Sequence, residues 1–217
     1  MTLKTPAKAE TLPSKTHYNT YLTALIAALL VFGITAYLAS KGKPMGWETS
    51  LFRKINDWPN GGLATFFKIV TFFGSTWMAL IAVIAVFATR AYRLAWRLAL
   101  TIVGAYGVAY IAKHFVGRVR PMELLTNVHV RATETGMGFP SGHATLSTVI
   151  ALTIWPYIPT KAKYVLVPLF IALVALSRLY LGVHFPMDVI GGIAVGVGAV
   201  SFVRVLPTSF RKLLRVY

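Results

Sequence analysis

Long apolar runs, separated by short polar stretches, make up most of this 217-residue chain. The run at 20–39 holds no charged residue. It is about twenty residues long, the length at which a helix rising about 1.5 Å per residue crosses about 30 Å of hydrocarbon. A cleaved signal peptide would have an apolar region of only about 7–15 residues, so this run reads as a retained span. Further runs lie at 66–88, 94–112, 143–158, 164–181 and 187–206, with Pro156, Pro159 and Pro168 interrupting the fourth and fifth. Backbone groups in lipid must be satisfied within their own segment, and no run alternates as a barrel strand would, so the spans are predicted to be helices. Between the first two lies 45–58. There Trp47, Leu51, Phe52, Ile55 and Trp58 recur at roughly helical spacing, with Glu48, Arg53, Lys54 and Asp57 elsewhere. This pattern predicts a helix lying in the membrane interface.

The fold class that follows is all-α: a polytopic membrane protein of six transmembrane helices, with an interfacial helix between the first two. The spans form one unit at 18–210, preceded by a polar tail at 1–17 and followed by a basic tail at 211–217. Composition agrees. The chain is 56% hydrophobic and 13% charged, against about 45–50% and about 25% for soluble domains. A chain of this size cannot hide that excess in a core, which argues against a soluble enzyme and a disordered chain alike. With 22 Lys and Arg against 6 Asp and Glu, the net charge is +16. A nucleic-acid binder would be polar as well as basic, so no nucleic-acid partner is expected. Anionic lipid or a phosphorylated substrate suits a basic, apolar chain. Cysteine is absent, which removes disulfides and thiolate chemistry.

An even number of spans puts both termini on one side. The short loops at 89–93 and 159–163 are basic and hold no acid. They are therefore placed in the cytoplasm with the termini, although only slightly more than half of all Lys and Arg fall on that side.

Ionisable residues near spans carry the most information in such a chain. They gather as Lys113 with Arg118 and Arg120, Ser141 with His143, and Arg178 with His184 and Asp188. Under the six-span topology all three groups emerge on one face. Lys113, Arg120 and Arg178 are cations without matching carboxylates, which suits an anion with several oxygens. Ser141 and Gly142 stand before an apolar helical run, where Ser141 is a natural cap and free N–H groups face an anion. Asp188 can hold one ring nitrogen of His184 so that the other attacks or abstracts, with His143 left as proton donor. The residues alone do not say which histidine attacks. One carboxylate is too few for a magnesium site. No metal or cofactor is expected, and the chemistry indicated is phosphoryl transfer through a phosphohistidine.

The stretches 113–121, 140–143 and 177–188 read Lys-x6-Arg-Pro, Pro-Ser-Gly-His and Ser-Arg-x5-His-x3-Asp. In that order they resemble the three signatures of the type 2 phosphatidic acid phosphatase family, matched without gap or substitution. The resemblance implies a membrane enzyme acting on lipid phosphates at the outer face of the cell membrane, with a helical core shared with soluble acid phosphatases and vanadium haloperoxidases. It implies His184 as nucleophile, Asp188 as its orienting partner, and His143 as the acid that protonates the leaving oxygen and then the base that activates water. Lys113, Arg120 and Arg178, with the Ser141 hydroxyl and the Gly142 N–H, would hold the phosphoryl oxygens. The expected substrate is an isoprenoid diphosphate such as undecaprenyl diphosphate, or a phospholipid phosphate such as phosphatidylglycerol phosphate or phosphatidate. The loop 122–139 is expected to set selectivity.

His114 and His129 match no motif position, and Arg118 lies in the variable stretch of the first motif without an assigned role. Other Lys and Arg at span ends, Arg53 and Arg97 among them, read as snorkelling to head groups. Gly192 and Gly196 read as a close helix contact. Phosphate transfer between two lipids would use the same residues. An anion channel or transporter would instead scatter its cations through the bilayer depth, and haloperoxidase chemistry is disfavoured by the spans. Oligomeric state is not encoded in any recognisable pattern.

Overall fold

The structure, a computed structural model, describes residues 15–158 and 161–206. The expected tail at 211–217, and all but the last three residues of the one at 1–17, lie outside them. Among the described residues every regular element is a helix. They run α1 Lys15–Ala39, α2 Gly46–Asn56, α3 Gly61–Phe72, α4 Thr76–Ala88, α5 Tyr92–Val116, α6 Pro121–Leu124, α7 Gly142–Ile154, α8 Lys163–Tyr180 and α9 Pro186–Val205, with a 3-10 turn at Trp155–Tyr157.

Four segments are long and apolar enough to cross a membrane: Lys15–Ala39, Tyr92–Leu124, Lys163–Tyr180 and Pro186–Val205. A fifth arises if α3 and α4, bent by 50° at their junction, count as one broken span. The run at 143–158 behaves differently. It forms the 13-residue α7, about 20 Å long at about 1.5 Å per residue, and ends in the 3-10 turn around Pro156. Helices α4, α5, α8 and α9 surround it, and most of its residues are buried. Its Thr145, Ser147 and Thr148 hydroxyls donate back to carbonyls three or four residues earlier, which lets polar side chains sit in an apolar core.

The second centre is α9. A Cβ on Gly192 would run into the Ser141 carbonyl, one on Gly196 into the Thr148 side chain, and one on Gly191 into the Phe139 ring. Bare backbone there lets α9 lie directly against α7, and the expected close glycine contact is therefore made within the chain. On its other side α9 packs along α1. Outward from these two helices the surface is apolar: Leu30, Ile34, Trp77, Ile84, Val103, Ile111 and Val165 are all exposed. Exposed apolar side chains in this number fit a surface that faces lipid.

Helix α2 is present where the sequence predicts one. Trp47 and Leu51 are exposed, whereas Phe52, Ile55 and Asn56 face inward. Glu48, expected on a polar side, is only 2% exposed because it is one turn before Phe52 on the inward face. Its Oε2 accepts the Met45 N–H at 3.1 Å, which caps the helix start.

Candidate active site

The three motif segments meet at one end of the bundle, each delivered by a helix terminus. Lys113 lies in the last turn of α5, which Gly117 closes at φ +62 in the left-handed conformation that glycine adopts freely. Arg118 and Arg120 follow in the extended segment before α6. Ser141, Gly142 and His143 open α7, and Ser141 donates its backbone N–H to the Asp188 carbonyl oxygen at 2.8 Å. Arg178 is in the last turn of α8, and His184 and Asp188 flank the start of α9.

His184 and Asp188 form a pair: Nδ1 of the ring is 3.4 Å from Asp188 Oδ2. The same oxygen accepts the Phe185 N–H at 2.9 Å, an arrangement that also caps α9. Holding Nδ1 toward a carboxylate leaves Nε2 as the nitrogen turned to the site. Both side chains are almost completely buried.

Opposite Nε2 stands Glu134, a residue the sequence reading assigned no role. Its Oε2 lies 3.5 Å from His184 Nε2 and 3.0 Å from an Arg120 nitrogen, and its Oε1 lies 3.5 Å from His143 Nδ1. The Arg178 guanidinium bonds the same Oε1 and also donates to Thr71 Oγ1. One carboxylate thus collects two arginines and both histidines. Burial pushes the Glu134 carboxyl up, but the hydrogen bond from His184 and the charges of Arg178, His184 and His143 outweigh it and hold the group well below the ordinary carboxylate range.

Of the expected residues, Arg120, Arg178, His143 and His184 converge directly on Glu134. Asp188 stands behind His184, and Lys113 reaches the edge through a 2.6 Å bond to the Met137 carbonyl. Ser141 is fully buried, and its hydroxyl has no partner; the Arg178 Nε is likewise unpaired. Donors left open beside a cluster of cations fit an oxyanion with more oxygens than a carboxylate.

Arg118 proves to be part of the same network. Its guanidinium is 1% exposed and bonds Asp188 Oδ1 at 2.9 Å and both oxygens of Glu48 at 2.9 and 3.0 Å. It also lies over the Phe185 ring, 4.9 Å from the centroid. Snorkelling does not describe Arg97, which is buried with a 3.1 Å bond to Tyr157 Oη; Arg53 donates to the Thr126 carbonyl at 3.3 Å.

A signal for these additional residues was available. The chain has only 6 acidic residues, and an unassigned arginine inside a motif of a membrane chain requires a carboxylate partner. Glu48 recurs at helical spacing with Phe52 and Ile55, and Glu134 precedes Pro140 in the loop that enters the second motif.

Comparison with known sequences decides the family. The PAP2 superfamily profile matches residues 94–211, more than half of the chain and all three motif segments. The chain belongs to the PAP2 superfamily. This PAP2 member is 27% identical over 191 residues to the undecaprenyl-diphosphatase of Sulfolobus acidocaldarius, covering 85% of this chain and 90% of that protein. The crystal structure of Aquifex aeolicus LpxE superposes with a TM-score of 0.66 at 28% identity, covering 73% of this chain and 96% of that one. That of a transmembrane PAP2 type phosphatidylglycerolphosphate phosphatase from Bacillus subtilis gives 0.64 at 24% identity, covering 87% and 96%, and supports the fold. The chain is thus a hydrolase of phosphate esters, a multi-pass membrane lipid phosphatase.

Proposed function

We propose that the chain removes the terminal phosphate of an isoprenoid diphosphate, of the undecaprenyl diphosphate kind, through a phosphohistidine on His184. Phosphatidylglycerol phosphate and phosphatidate are the other candidate substrates. His184 Nε2 attacks phosphorus, and the bond from phosphorus to the leaving oxygen breaks. His143 gives that oxygen its proton, while Asp188 stabilises the charge that develops on the His184 ring. His143 then takes a proton from water, which attacks the phosphohistidine and releases inorganic phosphate. Arg120, Arg178 and Lys113, with the Ser141 hydroxyl and the Gly142 N–H, meet the phosphoryl oxygens and the charge that builds on them. Positive charge comes from these side chains, so the reaction requires no metal ion.

The observation that carries this reading is the convergence of Arg120, Arg178, His143 and His184 on a single two-oxygen anion. The archaeal undecaprenyl-diphosphatase, similar over most of its length, supports the choice of substrate. In the same reading the chain crosses the cell membrane six times, with α7 as the fourth crossing and α2 lying in the interface. The site faces outward, the termini are cytoplasmic, and 18–210 forms one unit.

Phosphate release by the purified protein in detergent tests the proposal, with undecaprenyl diphosphate, phosphatidylglycerol phosphate and phosphatidate as substrates and EDTA present. Release in EDTA that vanishes in His184→Ala supports the mechanism and ranks the substrates. Release that survives in the variant overturns the nucleophile, and release only from monophosphates overturns the diphosphate preference.

A further inference from the structure

Four consecutive residues of the loop engage the cations that the proposed reaction reserves for phosphate. Glu134 binds Arg120 and Arg178 through its carboxylate. The Thr135 and Gly136 carbonyls accept from Arg120 at 3.1 and 2.8 Å, and the Met137 carbonyl accepts from Lys113 at 2.6 Å. All three phosphate-binding cations are therefore engaged by the segment 134–137.

On both sides the chain is tied to the scaffold. Arg131 donates its N–H to the Leu181 carbonyl at 3.0 Å. Its guanidinium reaches the carbonyls of Asn56, Tyr180 and Trp58 at 2.8, 2.9 and 3.1 Å. Gly138 donates to the Arg118 carbonyl at 2.7 Å. Between these anchors, Glu134 to Met137 hold the site chiefly through the cations themselves. Gly136, at φ +75, supplies the turn that brings successive carbonyls to one side.

We infer that Glu134 is a tethered stand-in for phosphate, and that a substrate must displace it, together with the carbonyls of 135–137, before His184 can attack. The inference rests on the phosphatase reading above. A carboxylate offers one negative charge and two oxygens. A terminal phosphate, whose second pKa is about 6, carries close to two charges at neutral pH and three free oxygens. A phosphodiester offers only one charge and two free oxygens, no more than the carboxylate already in place. A group held on a short tether competes at an effective concentration of about millimolar. The loop thus admits terminal phosphates and resists the phosphodiester head groups that surround a membrane enzyme.

Calorimetric titration of the full chain in detergent, with inorganic phosphate and with dimethyl phosphate, tests this for wild type and Glu134→Gln. If the site is free about one tenth of the time, Glu134→Gln binds phosphate about tenfold more tightly. Dimethyl phosphate, the weaker ligand, should gain by the same factor, because a group that must leave first lowers the apparent affinity of every ligand for the site equally. Limited proteolysis of wild type provides the second measurement, one that does not depend on the variant folding. Saturating phosphate should speed cleavage within 133–137 while the chain beyond the anchors at 131 and 138 stays uncut. Equal or weaker phosphate binding by Glu134→Gln, a gain for phosphate that dimethyl phosphate does not share, or slower cleavage within 133–137 would overturn the stand-in role and leave the phosphatase reading intact. If neither protein binds phosphate, both readings fail.

Discussion

Arg118 joins Asp188, on the first turn of α9, to Glu48, on the first turn of α2, with a separate guanidinium nitrogen on each carboxylate. Asp188 in turn faces His184, so the orientation of the proposed nucleophile depends on a cation in a different motif. Glu48 also accepts the Met187 N–H at 3.1 Å, and α2 is thereby locked to the turn that presents His184. Replacing Arg118 by Ala strands two buried carboxylates. Loss of one partner of a buried ion pair typically costs about 3–5 kcal/mol. A lower unfolding midpoint in detergent is expected, with phosphate release reduced at least as far. Arg118→Lys should fall between, because a single ammonium cannot span both carboxylates as the planar fork does. Wild-type stability and turnover in Arg118→Ala would remove Arg118 from the network.

His143 is proposed to protonate the leaving oxygen, so the effect of removing it should depend on the leaving group. Phosphatidate leaves behind an alcohol, which departs poorly without a proton. An isoprenoid diphosphate leaves behind a phosphate, which departs well unaided. General acid catalysis typically contributes about 10²- to 10⁴-fold. His143→Ala should lose close to that range with phosphatidate and clearly less with the diphosphate, in the step that forms the phosphohistidine. Single-turnover release of the alcohol or monophosphate product measures that step directly. Equal losses on both substrates would show that His143 has another role.

What the sequence made legible follows from its physics. Apolar runs long enough to span announce themselves by composition, and α1, α5, α8 and α9 fall close to their expected positions. The motif residues were legible because unpaired cations and histidines are rare beside spans. The break at Gly74 was not: where α3 and α4 part, the backbone comes so close to the His143 carbonyl that a Cβ on Gly74 would strike it, a contact between segments far apart in sequence. Helix α7 shows the same limit. Its apolar run reads like any other span, and nothing in it tells that its faces pack on other helices rather than on lipid. Glu134 and Glu48 escaped the sequence reading because a carboxylate on a loop or an interfacial helix is ordinarily solvated. Only the fold brings their arginines to them.

Glu134 also carries a pH signature. Its carboxyl, with an ordinary value of 4.5, is held well below that in the folded chain. A group whose pKa is depressed on folding adds stability that is complete above the unfolded value and lost as pH falls through it toward the folded one. The groups facing it are Arg120, Arg178, His143 and His184. The contribution from Glu134 should therefore decline below about pH 4.5. Unfolding midpoints of wild type and Glu134→Gln, compared from about pH 7 to about pH 3, isolate it. The difference between the two should shrink with acid. A difference that stays constant would mean the carboxyl is not held in its ionised form by these partners.

Gly192 sets how closely the helix carrying Asp188 approaches the helix carrying His143. An added Cβ would meet the Ser141 carbonyl and, at 3.0 Å, the Ala144 Cβ. Neither can swing away as a long side chain does, so α7 and α9 must separate at the end where the site is built. Overpacking of this kind costs about 1–3 kcal/mol. The catalytic loss should be larger, because His143 enters the site on α7 and His184 through the turn into α9. Gly198→Ala is the internal control: on the same helix, its Cβ would meet only the Ala28 Cβ, at an ordinary 3.6 Å. Glycine also costs about 0.5–1 kcal/mol relative to alanine inside a helix. The Gly198 variant should therefore retain activity and unfold no earlier than wild type, while Gly192→Ala unfolds earlier and loses phosphate release. Equal behaviour of the two variants, read by unfolding midpoint and turnover on the same substrate, would mean that α7 and α9 tolerate a wider spacing than the site geometry implies.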